Sequence, residues 1–258
     1  MNNNVELQII DSVIACIHLN RPSKLNAMDS SLRFELQKLL IKVTSDSKIR
    51  VIILTGNGKS FSSGVDIIND SDKTSIEKIL NSEFAPIFEL IRGSSQPVIA
   101  AINGLAVGIG MSLALTCDLR IMAEDTFLIP GFANIGLITD GGLNWILCNE
   151  IGYARAFKIF IESERLNAET CLSLGLVNKL SRPLEVLPDS IKWARDLKQR
   201  AVLSVSLTKR ALRASCQNGP EKSAKLEAGL QKIAQSSQDF QEGVDAIKEK
   251  RAPVFKGN

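Results

Sequence analysis

The residues of this chain best suited to chemistry lie in two glycine-rich turns, each following an apolar run. Phe61-Ser62-Ser63-Gly64-Val65-Asp66 follows Val51-Ile52-Ile53-Leu54-Thr55. Asn103-Gly104-Leu105-Ala106-Val107-Gly108-Ile109-Gly110 follows Pro97-Val98-Ile99-Ala100-Ala101-Ile102. Glycine admits positive φ and lets backbone come close to a ligand. Two such turns side by side can aim two free N–H groups at one oxygen, which makes an oxyanion hole. That points to carbonyl chemistry through an enolate or tetrahedral species, with no metal or nucleophile required. The competing reading is a pair of ordinary strand-to-helix turns whose glycines serve packing.

Other chemistries find less support. The five cysteines (Cys16, Cys117, Cys148, Cys171, Cys216) are widely spaced without a Cys-x-x-Cys, and His18 is the only histidine. Neither a zinc site nor a disulfide framework is expected, and a reducing cytoplasmic home fits best. His18 sits in an apolar strand and reads as a hydrogen-bonded core residue rather than a base. The Gly-x-Gly at 108–110 lacks the spacing and acidic partner of a dinucleotide fingerprint. The net charge of +3, with both signs scattered, gives no reason to expect nucleic acid or an anionic membrane surface. Lys192, Arg195, Lys198, Arg200, Lys209, Arg210 and Arg213 read as solvated helix faces, with contact to a phosphorylated ligand as the alternative. No apolar run is long enough for a membrane helix, and no secretory leader is evident.

The elements that must position these turns follow from periodicity. Val5–Ile10 and Val13–Leu19 read as strands around Asp11-Ser12. Asp29 or Ser30 caps a helix whose apolar positions are Leu32, Leu36, Leu39, Leu40 and Val43. The apolar run 51–54 reads as a strand buried on both faces. A helix near 75–92, a strand at 97–102, a helix at about 109–115 and a strand at 118–123 follow. This alternation argues for parallel βαβ packing in an α/β fold. The polar segment 67–76 reads as a loop bordering the site. A helix ends at Gly175 before a short strand, Leu176–Leu180, and helices at 185–199, 201–215, 221–236 and 238–250 complete the chain. Periodicity alone also permits a doubly wound sheet.

Four segments, in order and at similar spacing, give the chain a resemblance to the crotonase (enoyl-CoA hydratase/isomerase) superfamily over nearly its whole length. They are Leu19-Asn20-Arg21-Pro22-Ser23-Lys24-Leu25-Asn26-Ala27-Met28, Phe61 to Asp66, Gln96 to Leu119, and Ile135-Gly136-Leu137-Ile138-Thr139-Asp140-Gly141-Gly142. The resemblance implies a spiral of ββα turns over residues 1–195 and a helical oligomerisation segment over 196–258, assembling as a homotrimer or dimer of trimers. It also implies main-chain oxyanion donors at Val65 and Ile109, the latter preceded by Gly108.

Hydratases of the superfamily use two glutamates, and the aligned positions here are Ser112 and Phe132, neither able to act as a base. Asp140 instead aligns with the single carboxylate of isomerase-like members, which suffices for a 1,3-proton shift. Between apolar walls, for which Phe132, Leu137 and Trp145 are candidates, its pKa should rise. Asp140 before Gly141-Gly142-Leu143 also suits a helix N-cap. Asp66 and Asp118 read as structural.

The implied CoA site comprises Lys24, Asn26, Ala27, Ser62, Ser63, Gly64, Val65, Asp66 and Ile67, with Lys250 as a further nucleotide contact or simply a surface lysine. The acyl tail would pass Phe84, Phe88, Phe132 and Trp145. No cofactor beyond the CoA thioester substrate is expected. The expectation is an enoyl-CoA isomerase, with an enoyl-CoA hydratase second. A non-catalytic acyl-CoA- or RNA-binding homologue is the alternative of another class.

Overall fold

The computed structural model describes residues 3–66 and 75–257. β1 (Val5–Ile10) and β2 (Ile14–Leu19) pair antiparallel around Asp11 and Ser12, as the dense β-branched residues require. α1 (Ser30–Ser45) starts at Asp29, whose carboxylate accepts the Leu32 N–H at 2.9 Å. Its Leu32, Leu36, Leu40 and Val43 stripe is buried. β3 (Val51–Gly56) and the three-residue β4 (Ser60–Ser62) follow. The helix expected near 75–92 is broken by a π turn over Leu80–Phe84, giving α2 (Ile76–Ile79) and α3 (Ala85–Gly93).

β5 (Val98–Ile102), β6 (Leu105–Val107), α4 (Ile109–Thr116), β7 (Leu119–Ala123) and β8 (Phe127–Ile129) continue the alternation. Then come α5 (Leu143–Ile151), α6 (Tyr153–Ile161), β9 (Leu166–Asn167), α7 (Ala168–Ser173) and β10 (Lys179–Ser181). α8 (Val186–Leu197), α9 (Val202–Ser215), α10 (Pro220–Gln235) and α11 (Gln238–Glu249) end the chain.

Successive strands go to different sheets. One sheet has the order β1-β2-β3-β5-β7-β10 and the other β4-β6-β8-β9. From β3 to β8, each turn of the chain lays one strand in each sheet, and within each sheet these strands run parallel. This is the spiral of ββα turns, and it excludes the doubly wound sheet. Both glycine turns arise here: β4 leads into Gly64 and β6 into Gly108, and the neighbouring strands set them side by side.

Strand alternation divides the core. Ala15, Ile17, Ile52, Leu54, Ala100, Ile102 and Met122 face the interior shared with α1, α3 and α4. Ile14, Cys16, Val51, Ile53, Ile99, Ala101, Ile121 and Ala123 face Val186 and Ala194 of α8.

Two expectations are corrected. The strand after Gly175 begins at Lys179 rather than Leu176, because Leu176 and Val177 both donate their N–H groups back to Cys171 O of α7. Lys209 and Arg213 are not on a solvated face. Lys209 Nζ lies 2.8 Å and Arg213 Nη2 2.7 Å from the Asp118 carboxylate, tying α9 to the core. No helix among the described residues is long and apolar enough to cross a membrane.

Candidate active site

The first turn is held by an isolated parallel bridge between Met28 and Val65. The Met28 N–H donates to Gly64 O at 2.7 Å and the Asp66 N–H donates to Met28 O at 3.4 Å. In a parallel bridge the bonds come from the peptides flanking the central residue, so the N–H of Val65 itself points to the other edge. There it finds no acceptor among the described residues. Gly64, at φ +93°, lies against the second turn: a Cβ at this position would come within 2.9 Å of Val107 O and 3.8 Å of Ile109 N.

The second turn pivots on Gly108, at φ +55° and ψ −126°, a conformation that side chains oppose. It starts α4, whose first intrahelical bond runs from Ser112 N–H to Gly108 O at 3.1 Å. The Ile109 N–H is therefore one of the unpaired donors of a helix N-terminus, where the helix dipole favours negative charge. All eight residues of α4 are buried, so this end is rigidly seated. The two N–H groups expected at an oxyanion hole thus sit on abutting turns, and neither is used up in helix or sheet.

Asp140 lies beside this pair. Ser112 Oγ donates to Asp140 O at 3.1 Å and also lies 3.3 Å from Gly108 O, so one hydroxyl joins the acidic loop to the second turn. Gly141 packs tightly on the same wall: a Cβ there would lie 2.7 Å from Ser112 Cβ and 2.9 Å from Phe88 Cζ. Asp140 does not cap α5. The N-cap is Gly142, without a side-chain bond, and the Leu143 N–H goes to the Asp140 main-chain oxygen at 3.1 Å. Asp140 Oδ1 is buried without a hydrogen-bond partner among the described residues, and burial raises the carboxyl pKa from 3.8 to about 6.

The expected apolar walls differ in burial. Phe132 is buried and its ring lies beside Gly108, 3.7 Å from where a Cβ would be. Leu137 and Trp145 are 48% and 42% exposed, while Phe88 and Ser112 pack against Gly141 beneath the acidic loop.

The expected CoA segments also come together. The Ser63 N–H donates to Leu25 O at 2.9 Å, so the 24–27 loop borders the first turn, with Lys24 exposed. Asn26 is wholly buried and spends its side chain on the loop: Nδ2 donates to Asn57 O and Ser60 O, and Oδ1 accepts the Arg21 N–H. It braces the loop rather than facing a ligand. Ser62 is buried too, with Oγ donating to Asn26 O at 2.8 Å. Ala27 is almost fully buried. Ile67 lies outside the described residues. Lys250 ends α11 in the left-handed region, and no hydrogen bond or ion pair among the described residues joins it to the 24–66 segment.

Sequence reasoning passed over Arg21, which sits inside the quoted Asn-Arg-Pro run. Its guanidinium reaches Ala27 O, Asp66 Oδ2 at 3.2 Å and Asp29 Oδ2 at 2.9 Å. Asp66 and Asp118 have the structural settings expected of them; Asp118 also accepts the Val98 N–H at 2.9 Å. His18 is hydrogen-bonded on both ring nitrogens, to Asn57 Oδ1 at 2.9 Å and Cys16 Sγ at 3.2 Å. Among the described residues no cluster of three or more His, Cys, Asp or Glu is arranged to hold a metal.

Known proteins resemble this chain in sequence and fold. The family described as Enoyl-CoA hydratase/isomerase matches residues 10–258. A probable enoyl-CoA hydratase of Rhodobacter capsulatus is 34% identical over 255 residues, covering 96% of both chains. The 1,2-epoxyphenylacetyl-CoA isomerase of Escherichia coli is 31% identical, covering 97% of this chain and 98% of its own. The crystal structure of an enoyl-CoA hydratase from Bacillus anthracis superposes with a TM-score of 0.93 at 30% identity, covering 99% of this chain and 100% of that one. The chain is therefore an enzyme of the enoyl-CoA hydratase/isomerase family, within the crotonase superfamily, whose members act on CoA thioesters.

Proposed function

We propose that this enzyme is an enoyl-CoA isomerase that moves a carbon–carbon double bond using Asp140 alone. One observation supports the reading: Asp140, whose Oδ1 is buried without a hydrogen-bond partner among the described residues, sits on a loop joined through its main-chain oxygen to Ser112 beside Gly108. Ser112 and Phe132, where the resemblance puts the hydratase glutamates, supply no carboxylate. The Asp140 carboxylate takes a proton from C2 of a 3-enoyl-CoA. The electron pair moves onto the thioester oxygen, which the Val65 and Ile109 N–H groups hold as a dienolate. Asp140, now protonated, delivers a proton to C4, and the C2–C3 double bond forms as the carbonyl is restored. No water is consumed, which suits a site with Phe132 at its edge.

Lys24, Ala27, Ser62, Ser63, Gly64, Val65, Asp66 and Gly108 line the approach for CoA in this reading, while Asn26 braces it. Residues 196–258 form the oligomerisation segment of a homotrimer or dimer of trimers. Leu212, Ile233, Phe240 and Ile247, all at least 43% exposed on α9 to α11, supply apolar surface for it.

The second reading is a hydratase in which Asp140 activates water, favoured by the hydratase names among the relatives. The test is to offer the protein 3-hexenoyl-CoA and crotonyl-CoA and to follow conjugation by absorbance. A gain of conjugated product from the first, with little loss from the second, supports isomerisation. Rapid loss of conjugation from crotonyl-CoA alone supports the hydratase. Asp140→Asn should lower turnover by about 10²–10⁴ and keep acyl-CoA binding.

A further inference from the structure

The peptide that carries the first oxyanion donor is not held by its own strand. β4 ends at Ser62, and among the described residues Val65 is held by its bridge to Met28 and by what anchors Asp66. Asp66 is 6% exposed, and a carboxylate buried this deeply must be paired with a cation or donors. Arg21 supplies such a partner at 3.2 Å. The same guanidinium holds Ala27 O and Asp29 Oδ2, and Asp29 is the N-cap of α1. One planar fork therefore ties three things together: the turn after Val65, the loop that borders the approach to the site, and the start of a core helix. Arginine can span several oxygens in fixed directions, whereas a lysine ammonium acts as a point charge.

We infer that Arg21 is a positioning residue for the reaction. Through Asp66 it fixes the direction of the Val65 N–H, and through Ala27 it locks that donor to the loop beside the bound thioester. It touches no reacting atom. This inference rests on the Val65–Ile109 oxyanion pair and extends it to the residue that aims one member. The donor acts only if it already points at the oxygen when charge develops, so a small change of direction costs rate rather than affinity.

The test uses hexanoyl-CoA, a saturated thioester that cannot isomerise, labelled with ¹³C at the carbonyl. Infrared difference spectra of the bound thioester report how strongly the two N–H groups polarise it. The wild-type protein should shift the carbonyl stretch to lower frequency. Arg21→Gln should lose half or more of that shift and about 10- to 100-fold in kcat for 3-hexenoyl-CoA, short of the ~10²–10³ expected for removing a donor outright. Binding of hexanoyl-CoA should change by less than about threefold, because the lost contact acts on the developing charge.

Asp66→Asn cuts the same link from the other side and should reproduce the spectral loss. Arg21→Lys keeps the charge and the fold and should lie between wild type and Arg21→Gln. A full carbonyl shift and wild-type kcat in Arg21→Lys and Asp66→Asn would overturn the role of Arg21 and leave the oxyanion pair standing. Absence of any shift in the wild-type protein would remove the pair itself.

Discussion

Ser112 donates its hydroxyl to the main-chain oxygen of Asp140 across 3.1 Å. Ser112 thus braces the loop that carries Asp140. Ser112 is fully buried and spans Gly108 O and Asp140 O, the backbone on either side of the proposed reaction centre. The loop that carries Asp140 and the turn that carries Ile109 are thereby fixed to one another. A carboxylate at position 112 would have to displace this link.

If Asp140 is the base, kcat/KM depends on its being ionised in the free enzyme. Burial raises its pKa to about 6. Activity should therefore climb tenfold per pH unit below that value and level off above it. The measurement is kcat/KM for 3-hexenoyl-CoA from pH 4.5 to 8.5. Asp140→Asn should lower the plateau by about 10²–10⁴, the usual contribution of a positioned base. An unchanged pH profile in a residually active Asp140→Asn would assign the base elsewhere.

The same buried carboxyl should cost stability. Its folded pKa of about 6 lies above its ordinary value of 3.8, so the folded state holds the proton more tightly. Between those two values the native state binds more protons than the unfolded chain, and stability falls as pH rises. At about pH 3, well below both values, the acid is protonated in both states and costs almost nothing. Asp140→Asn should match the wild type there and exceed it by about 1–2 kcal/mol above pH 6, allowing for partial exposure of the side chain. Urea titrations at about pH 3 and pH 7.5 would show a midpoint difference only at the higher pH. A catalytically dead variant more stable than its parent would mark a site kept charged for function.

Removing the Ser112 hydroxyl tests the brace. Ser112→Ala leaves Asp140 O without this donor and frees the loop by one hydrogen bond, worth about 1 kcal/mol. Turnover should fall about 5- to 10-fold while KM stays close to wild type, because the acid loses position and the CoA contacts do not. A rise in KM with unchanged kcat would show that Ser112 supports binding instead.

Much of this was legible in the chain because its strongest signals are local. Continuous apolar runs mark β3, β5 and β7, and glycines mark the turns after β4 and β6. What escaped was short or distant. β4, β6, β8 and β9 have two or three residues each, too few for an alternation to register, yet they form the second sheet and decide between spiral and doubly wound. Asp140 as base was read from alignment, whereas its freedom from capping duty depended on Gly142 taking the N-cap, a backbone detail no composition reveals. Leu137 and Trp145 are named as walls because they are apolar and near Asp140 in the chain; that Phe88, 52 positions away, packs under Gly141 of the same loop depends on the fold. Lys209 reads as surface charge, and Arg21 is passed over, because their partners Asp118 and Asp66 lie far along the sequence.

Lys209 provides a stability test that separates buried from exposed cations of the last third of the chain. Its ammonium is 8% exposed and touches Asp118, Ile91 O, Ser94 Oγ and Gln96 O. Lys209→Met leaves those oxygens short of a donor and Asp118 dependent on Arg213 and the Val98 N–H. Breaking such a buried pair by removing one partner should cost about 3 kcal/mol or more, seen as a lower urea midpoint. Arg195, which pairs with Asp11 at 3.0 Å on an exposed face, is the control. Arg195→Met should leave the midpoint nearly unchanged, because solvent already screens that pair. Equal losses in the two variants would mean that Lys209 does not clamp α9 to the core. If Lys209→Met loses the larger share, release of α9 should also weaken assembly in the proposed oligomer, so a shift toward smaller species on sedimentation should track the fall in urea midpoint.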